Sequence, residues 1–172
     1  LKKRIIVIAL VLLALTAGYA RADKIHDELM KLREKAIQLQ NGGEFGFRHF
    51  TPCTEIKLFG DYKPTKAEVK KGGALLVYFE PANYFTKKED GKYRILISED
   101  MLVTTKDGKV LLDQKNATTL SVNSETPVMD VFFRNTVNLG GSAPGTYIFK
   151  AVIHDKLRNK TATRTLEFKI TE

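Results

Sequence analysis

From about residue 45 onward, apolar residues recur at every second position, and this period of two constrains the fold more than any other feature. Tyr93, Ile95 and Ile97 alternate with Arg94, Leu96 and Ser98. Tyr147, Phe149, Ala151 and Ile153 alternate with Ile148, Lys150, Val152 and His154, and Leu166, Phe168 and Ile170 with Glu167, Lys169 and Thr171. A strand turns successive side chains to opposite faces, so such runs bury one face and wet the other, as half-buried antiparallel strands do. Shorter candidates are Thr54–Phe59, Ala74–Glu80, Val110–Asp113, Thr119–Val122 and Val128–Phe133. Gly72-Gly73, Asp90-Gly91, Asp107-Gly108, Gly140-Gly141 and Pro144-Gly145 supply turn chemistry between them. Eight or so short strands with no helix between them predict a β-sandwich over residues 44–172; a barrel fits less well, because strand lengths and connections are uneven.

A helix is expected first. Ile25, Leu29, Leu32, Ala36 and Leu39 form one narrow apolar stripe at helical spacing. Asp27 and Glu28 lie early and Lys31, Arg33 and Lys35 later, as the helix dipole favours. Asn41-Gly42-Gly43 then closes it, giving a helix and Gly-rich cap over 23–43. The stripe has two readings: it packs on the following domain, or it is a seam that pairs with a partner or a second copy, the route to an oligomer. Docking is preferred, because two and a half heptads are short for a coiled coil.

The first residues read as an address. Lys2, Lys3 and Arg4 precede the apolar run Ile5 to Ala17, and Ala20-Arg21-Ala22 is a small-x-small pattern before Asp23. These are the parts of a secretory signal peptide, residues 1–22, which predicts a periplasmic or secreted protein. An uncleaved anchor is the alternative; the run falls short of the roughly 20 apolar residues a spanning helix needs, so no stable membrane span is expected after cleavage. Removing Lys2, Lys3, Arg4 and Arg21 leaves 24 Lys+Arg against 20 Asp+Glu, a net charge of +4. That excess is too modest to predict a nucleic-acid partner. Lys70-Lys71 and Lys87-Lys88 sit beside turns and read as solvated loop charges, with contact to an anionic envelope surface as the second reading.

The C-terminal stretch carries a resemblance. Pro144-Gly145-Thr146-Tyr147-Ile148-Phe149, Val152-Ile153-His154-Asp155, Thr161-Ala162 and Leu166-Glu167-Phe168-Lys169-Ile170 together resemble the last two strands of secreted bacterial immunoglobulin-like modules. There a Pro-Gly-x-Tyr run opens the penultimate strand, an Asp closes it, and a short polar hairpin leads to the last strand. The resemblance implies an immunoglobulin-like sandwich, with Tyr147 returning its hydroxyl to the backbone as in a tyrosine corner. It covers about thirty residues and bears on fold more than on role. The Cys…Trp…Cys core of antibody-type domains is missing: the chain has one Cys and no Trp.

Motifs for chemistry are few. The three His (His26, His49, His154) show no close metal-ligand pairing, and no Gly-x-Ser-x-Gly elbow or phosphate-cradling loop occurs. Neither cofactor nor metal is expected; Asp107 and Asp155 are the places nearest to a calcium site, without an Asp-x-Asp-x-Asp ladder. Gly42-Gly43-Glu44-Phe45-Gly46 reads as a linker, and the aromatics of Phe45–Phe50 as a clamp between helix and sheets. His49 and Cys53 have helical spacing, but Pro52 between them argues against a helix, leaving a buried, inert Cys as the favoured reading. Glu99 and Asp100 are strand neighbours that point to opposite faces, and Asp61, Asp90, Asp107 and Asp113 flank turns. No catalytic residue is assigned.

The best binding candidate is Asn83-Tyr84-Phe85, after Pro81 ends an apolar strand; it would set aromatics at the rim of the domain. The competing reading has Phe85 plugging the core with Tyr84 along the surface. Taken together, the sequence predicts an exported, non-catalytic protein that binds a protein or envelope partner. A small-ligand carrier or a hydrolase with a site built from scattered residues is the alternative.

Overall fold

The computed structural model describes residues 23–172; the expected signal peptide, residues 1–22, lies outside the described residues. These divide into two units between Gln38 and Leu39. Helix α1 covers residues 23–42 and ends within the Asn41-Gly42-Gly43 run. Of its stripe, Ile25, Leu29, Leu32 and Leu39 are each at least half exposed.

The second unit, Leu39–Glu172, carries the strands. In chain order they are β1 (Gly46–Leu58), β2 (Asp61–Pro64), β3 (Glu68–Lys70), β4 (Ala74–Ala82), β5 (Lys87–Glu89), β6 (Lys92–Thr105), β7 (Val110–Ser124), β8 (Phe133–Asn138), β9 (Gly145–Asp155) and β10 (Lys160–Thr171). One sheet has the order β2-β1-β4-β8, every pair antiparallel. The other runs β3-β10-β9-β6-β5, with β7 on the opposite edge of β6; only the β3–β10 pair is parallel. The described residues are therefore mainly β, with one helix preceding the sheets.

The period-two runs define the core. Ile95 and Ile97 of β6, Phe149, Ala151 and Ile153 of β9, and Phe168 and Ile170 of β10 are buried, and meet Val77 and Phe79 of β4 and Phe133 and Val137 of β8; Tyr93 is buried as well. Phe79 stacks on Phe133 at 4.9 Å, and Phe50 of β1 on Phe149 of the other sheet at 6.1 Å. Each fully buried aromatic or branched side chain contributes about 1.5–3 kcal/mol. The alternate face of β4 carries a smaller cluster in which Tyr78 joins Cys53 and Ile56, and Tyr62 stacks on Tyr78 at 4.0 Å.

The turn chemistry is equally local. Asp90 and Gly91 both have positive φ (51° and 74°), the pair a two-residue type I′ hairpin requires between β5 and β6. The Tyr147 hydroxyl donates to the Ala143 carbonyl at 2.5 Å, the backbone return expected of this Tyr.

The expected elements differ in several places. Val110–Asp113 and Thr119–Val122 are one continuous strand, β7, bulged around Asn116. The strand sought at Val128–Phe133 begins only at Phe133, because its inward residues are Phe133, Asn135 and Val137 and the central Asn breaks the apolar pattern. Strands β2, β3 and β5 were not expected, each being too short to show alternation. The stretch Gly42-Gly43-Glu44-Phe45-Gly46, expected as a linker, is not one throughout: Phe45 is buried in the core and β1 begins at Gly46.

Candidate functional site

The Asn83-Tyr84-Phe85 segment leaves the end of β4 through a left-handed residue, Asn83 (φ 52°). That one residue inverts the alternation, so Tyr84 turns inward and is 3% exposed, while Phe85 is half-buried. The expectation of exposed aromatics is corrected for Tyr84, as is the competing arrangement with Phe85 in the core and Tyr84 outside. Burial pushes the Tyr84 hydroxyl up to about 12, and it donates to the Val128 carbonyl at 3.2 Å.

Most of the segment's polar groups are spent on the fold. Asn83 Nδ2 donates to the Glu44 carbonyl at 2.8 Å. Gln40 Nε2 donates to the Tyr84 carbonyl at 2.8 Å, and the Asn41 side chain both accepts from Thr86 N and donates to Thr86 O. Phe85 N donates to Asp155 Oδ2 at 2.7 Å. Arg158 completes the clamp: it donates to the carbonyls of Asn41 (2.9 Å), Gly43 and Asn83, lies 3.4 Å from Asp155 Oδ2, and sits over the Phe85 ring. Asp155 also accepts from the Leu157 and Arg158 amides, capping the hairpin between β9 and β10. Gly43 is needed here, because a Cβ would stand 2.4 Å from Asn83 Cγ.

Beside the segment lies a cavity of about 360 Å³ lined by Leu39, Gln40, Arg48, Asn83, Tyr84 and Met129, among others. Arg48 is more than half exposed and reaches the buried Glu80 carboxylate at 3.1 Å. Glu80 also accepts from the Tyr78 hydroxyl at 2.7 Å and has His49 Nε2 at 4.0 Å. Desolvation is the main reason the Tyr78 hydroxyl rises to about 12, with the neighbouring carboxylate adding to it. The guanidinium donors of Arg48 not engaged by Glu80 can hold a carboxylate or phosphate at the rim.

The structure does not join His49 and Cys53 into a reactive pair. His49 sits at a β1 irregularity with φ 51° beside Glu80, whereas the Cys53 thiol is buried, contacts the Thr51 carbonyl at 3.6 Å and is raised by desolvation.

Two polar arrangements escape sequence reasoning. Glu99 is 0% exposed on the core face of β6, with Oε1 accepting from Asn135 Nδ2 at 2.6 Å and Oε2 without a partner. Desolvation lifts its carboxyl to about 7; the Asn135 bond opposes this and the Asp100 charge adds to it. On the other face, His154 links Thr161 Oγ1 (3.2 Å from Nδ1) and Asp100 Oδ2 (3.1 Å from Nε2). Burial alone would raise Asp100, but the Asn116 amide, His154 and Lys115 outweigh it and hold the carboxyl below its usual range. Thr161 faces His154 across the β9–β10 hairpin and Asp100 lies on β6, so only the register brings the three together. Among the described residues no three His, Cys, Asp or Glu side chains are grouped to hold a metal ion, and no helix is long and apolar enough to cross a membrane.

No family model and no curated protein matches the chain. Among solved structures, it is similar to the Pseudomonas fluorescens alkylpurine DNA glycosylase AlkC bound to DNA containing an abasic site analog (11% identity, 80% of this chain and 33% of that one, TM-score 0.42). It is also similar to a family 123 glycoside hydrolase from Clostridium perfringens (9% identity, 75% and 27%, TM-score 0.43). A third likeness is to the catalytic domain of an LPMO from Listeria monocytogenes (11% identity, 66% and 69%, TM-score 0.35). The chain spans about a third or less of the first two. All three likenesses are distant, and the activities named are those of the other proteins.

Proposed function

We propose that this chain is an exported, non-catalytic binding protein of the cell envelope, whose strands form an immunoglobulin-like β-sandwich. The Tyr147–Ala143 bond and the Asp155-capped hairpin support the sandwich reading, since both fall where the sequence resemblance places them. The observation that carries the binding role is the apolar stripe of α1, on which Leu29 and Leu32 are 50% and 64% exposed. Such a face on an amphipathic helix fits a hydrophobic groove on another protein. A photo-crosslinking amino acid at Leu32, in the full-length protein expressed in its own cells, tests this. One discrete adduct, lost on adding Leu29→Glu, supports the reading; smeared labelling unaffected by Leu29→Glu overturns it. Mass analysis of the exported protein should give Asp23 as the first residue, and retention of residues 1–22 would overturn cleavage.

The second reading, a hydrolase, draws on one observation, the Thr161–His154–Asp100 chain, which has the order hydroxyl, imidazole, carboxylate. On that reading Thr161→Val abolishes turnover of generic ester substrates; on the binding reading there is no turnover to abolish.

A further inference from the structure

We propose that α1 pairs with α1 of a second copy of this chain, antiparallel, through its apolar stripe. Self-pairing presupposes that the stripe is the contact surface, as inferred above; the groove it enters is the one between the same residues of its twin. Ile25, Leu29, Leu32, Ala36 and Leu39 are spaced by four, three, four and three residues. That alternation seats the side chains of one helix between those of another. The stripe is not the covered side of α1: Ile37 is 6% exposed, whereas Ile25, Leu29, Leu32 and Leu39 are each at least half exposed. Ala36, half-buried, completes the row.

The charge pattern selects a second copy as the occupant. Residues 23–30 hold Asp23, Lys24, Asp27 and Glu28, net −2, and residues 31–38 hold Lys31, Arg33, Glu34 and Lys35, net +2. α1 is thus complementary to its own reverse. A parallel copy would set −2 on −2 and +2 on +2, and a partner of uniform charge would be repelled by one half. Reversal also opposes the two helix dipoles.

One register satisfies the apolar and the charged positions together. It sets Leu29 against Leu32 of the other copy and Ile25 against its Ala36, and the twofold axis repeats each contact. Glu28 and Lys35, both exposed, border the stripe at equivalent positions of successive heptads. In this register Glu28 of each copy faces Lys35 of the other, so the attraction is made twice. Two and a half heptads are short when pairing must also drive helix formation. Here α1 is already formed, with Gln40 and Asn41 at its end bonded to Tyr84 and Thr86, so that ordering cost does not fall on the pair.

Cysteine cross-linking of the full-length chain in its own cells reads the geometry. In this register residue 25 lies beside residue 36 of the other copy. The two copies of residue 25 stand about 16 Å apart along the helix, beyond the roughly 7 Å between Cα atoms that a disulfide spans. Chain carrying Ile25→Cys and Ala36→Cys together should therefore form a disulfide dimer on oxidation, and chain carrying either alone should not; the buried Cys53 is common to all three. In sedimentation equilibrium, Glu28→Lys should weaken the dimer at least fivefold, Glu28→Lys with Lys35→Glu should restore it, and Leu29→Glu should leave monomer. Unchanged far-UV circular dichroism shows the helix retained in each. A dimer cross-linked by either single Cys, or no recovery with Lys35→Glu, overturns the antiparallel pair. Monomer at every concentration, with the cross-linker at Leu32 still giving one adduct to a different protein, overturns self-pairing and leaves the stripe as a contact surface; monomer with no adduct overturns both.

Discussion

Glu99→Gln is expected to remove a pH dependence of stability that one buried carboxyl imposes. Glu99 is fully enclosed, with one oxygen on Asn135 and the other without a partner, and its carboxyl titrates near 7 instead of its ordinary 4.5. An acid whose folded pKa is raised binds more protons folded than unfolded between those values. Stability is therefore greatest at low pH, falls as pH rises from about 4.5 through about 7, and levels off above. The difference between the two pKa values corresponds to about 3 kcal/mol. Glutamine keeps the shape and an acceptor for Asn135 but cannot ionise; its buried amide donors cost about 1–3 kcal/mol at every pH. Urea unfolding at pH 4.5 and pH 8 separates these effects. Wild type should lose about 3 kcal/mol more than the variant between the two pH values, with m unchanged, whatever the offset between them. Equal pH slopes in the two proteins would refute the reasoning, since every other titrating group is common to both.

Three other perturbations address the clamp and the thiol. Arg158→Met should cost about 3–5 kcal/mol in urea unfolding, because it orphans three carbonyls and leaves Asp155, 1% exposed, without its counter-charge. Gly43→Ala should cost about 1–3 kcal/mol through the clash with Asn83, and Asn83→Gly should recover part of that in a double-mutant cycle, because the obstructing atoms belong to the Asn83 side chain. Cys53 should react with a disulfide reagent at pH 8 only at the rate of unfolding, since burial both shields the thiol and raises its pKa; stopped-flow labelling with and without urea measures the ratio.

The strands the sequence shows plainly are those whose inward positions are all apolar, as in Tyr147, Phe149, Ala151 and Ile153. The information is local there: two rotamer-limited side chains per turn of pleat already say which face is buried. It fails where an inward position is polar. Glu99 continues the series Tyr93, Ile95, Ile97, and Asn135 stands between Phe133 and Val137; each lies in an apolar slot and looks solvated when read alone. One hydrogen bond joins them across the two sheets, 36 residues apart in sequence, so neither is intelligible without the other. The inward turn of Tyr84 in Asn83-Tyr84-Phe85 is hidden for a related reason. The segment's composition is that of a recognition loop, yet Gln40, Asp155 and Arg158, from the chain before and far after it, claim the Tyr84 carbonyl, the Phe85 amide and the Asn83 carbonyl.

The same reasoning separates surfaces that are used up from surfaces that are open. A polar group already paired inside the fold must break that bond before it can serve a ligand, which costs about what the bond contributes, roughly 1 kcal/mol or more each. The 83–85 segment would forfeit several such bonds at once. The outward amides and carbonyls of residues 117–124 would exchange only water, and their ordering is already borne by the β6 ladder.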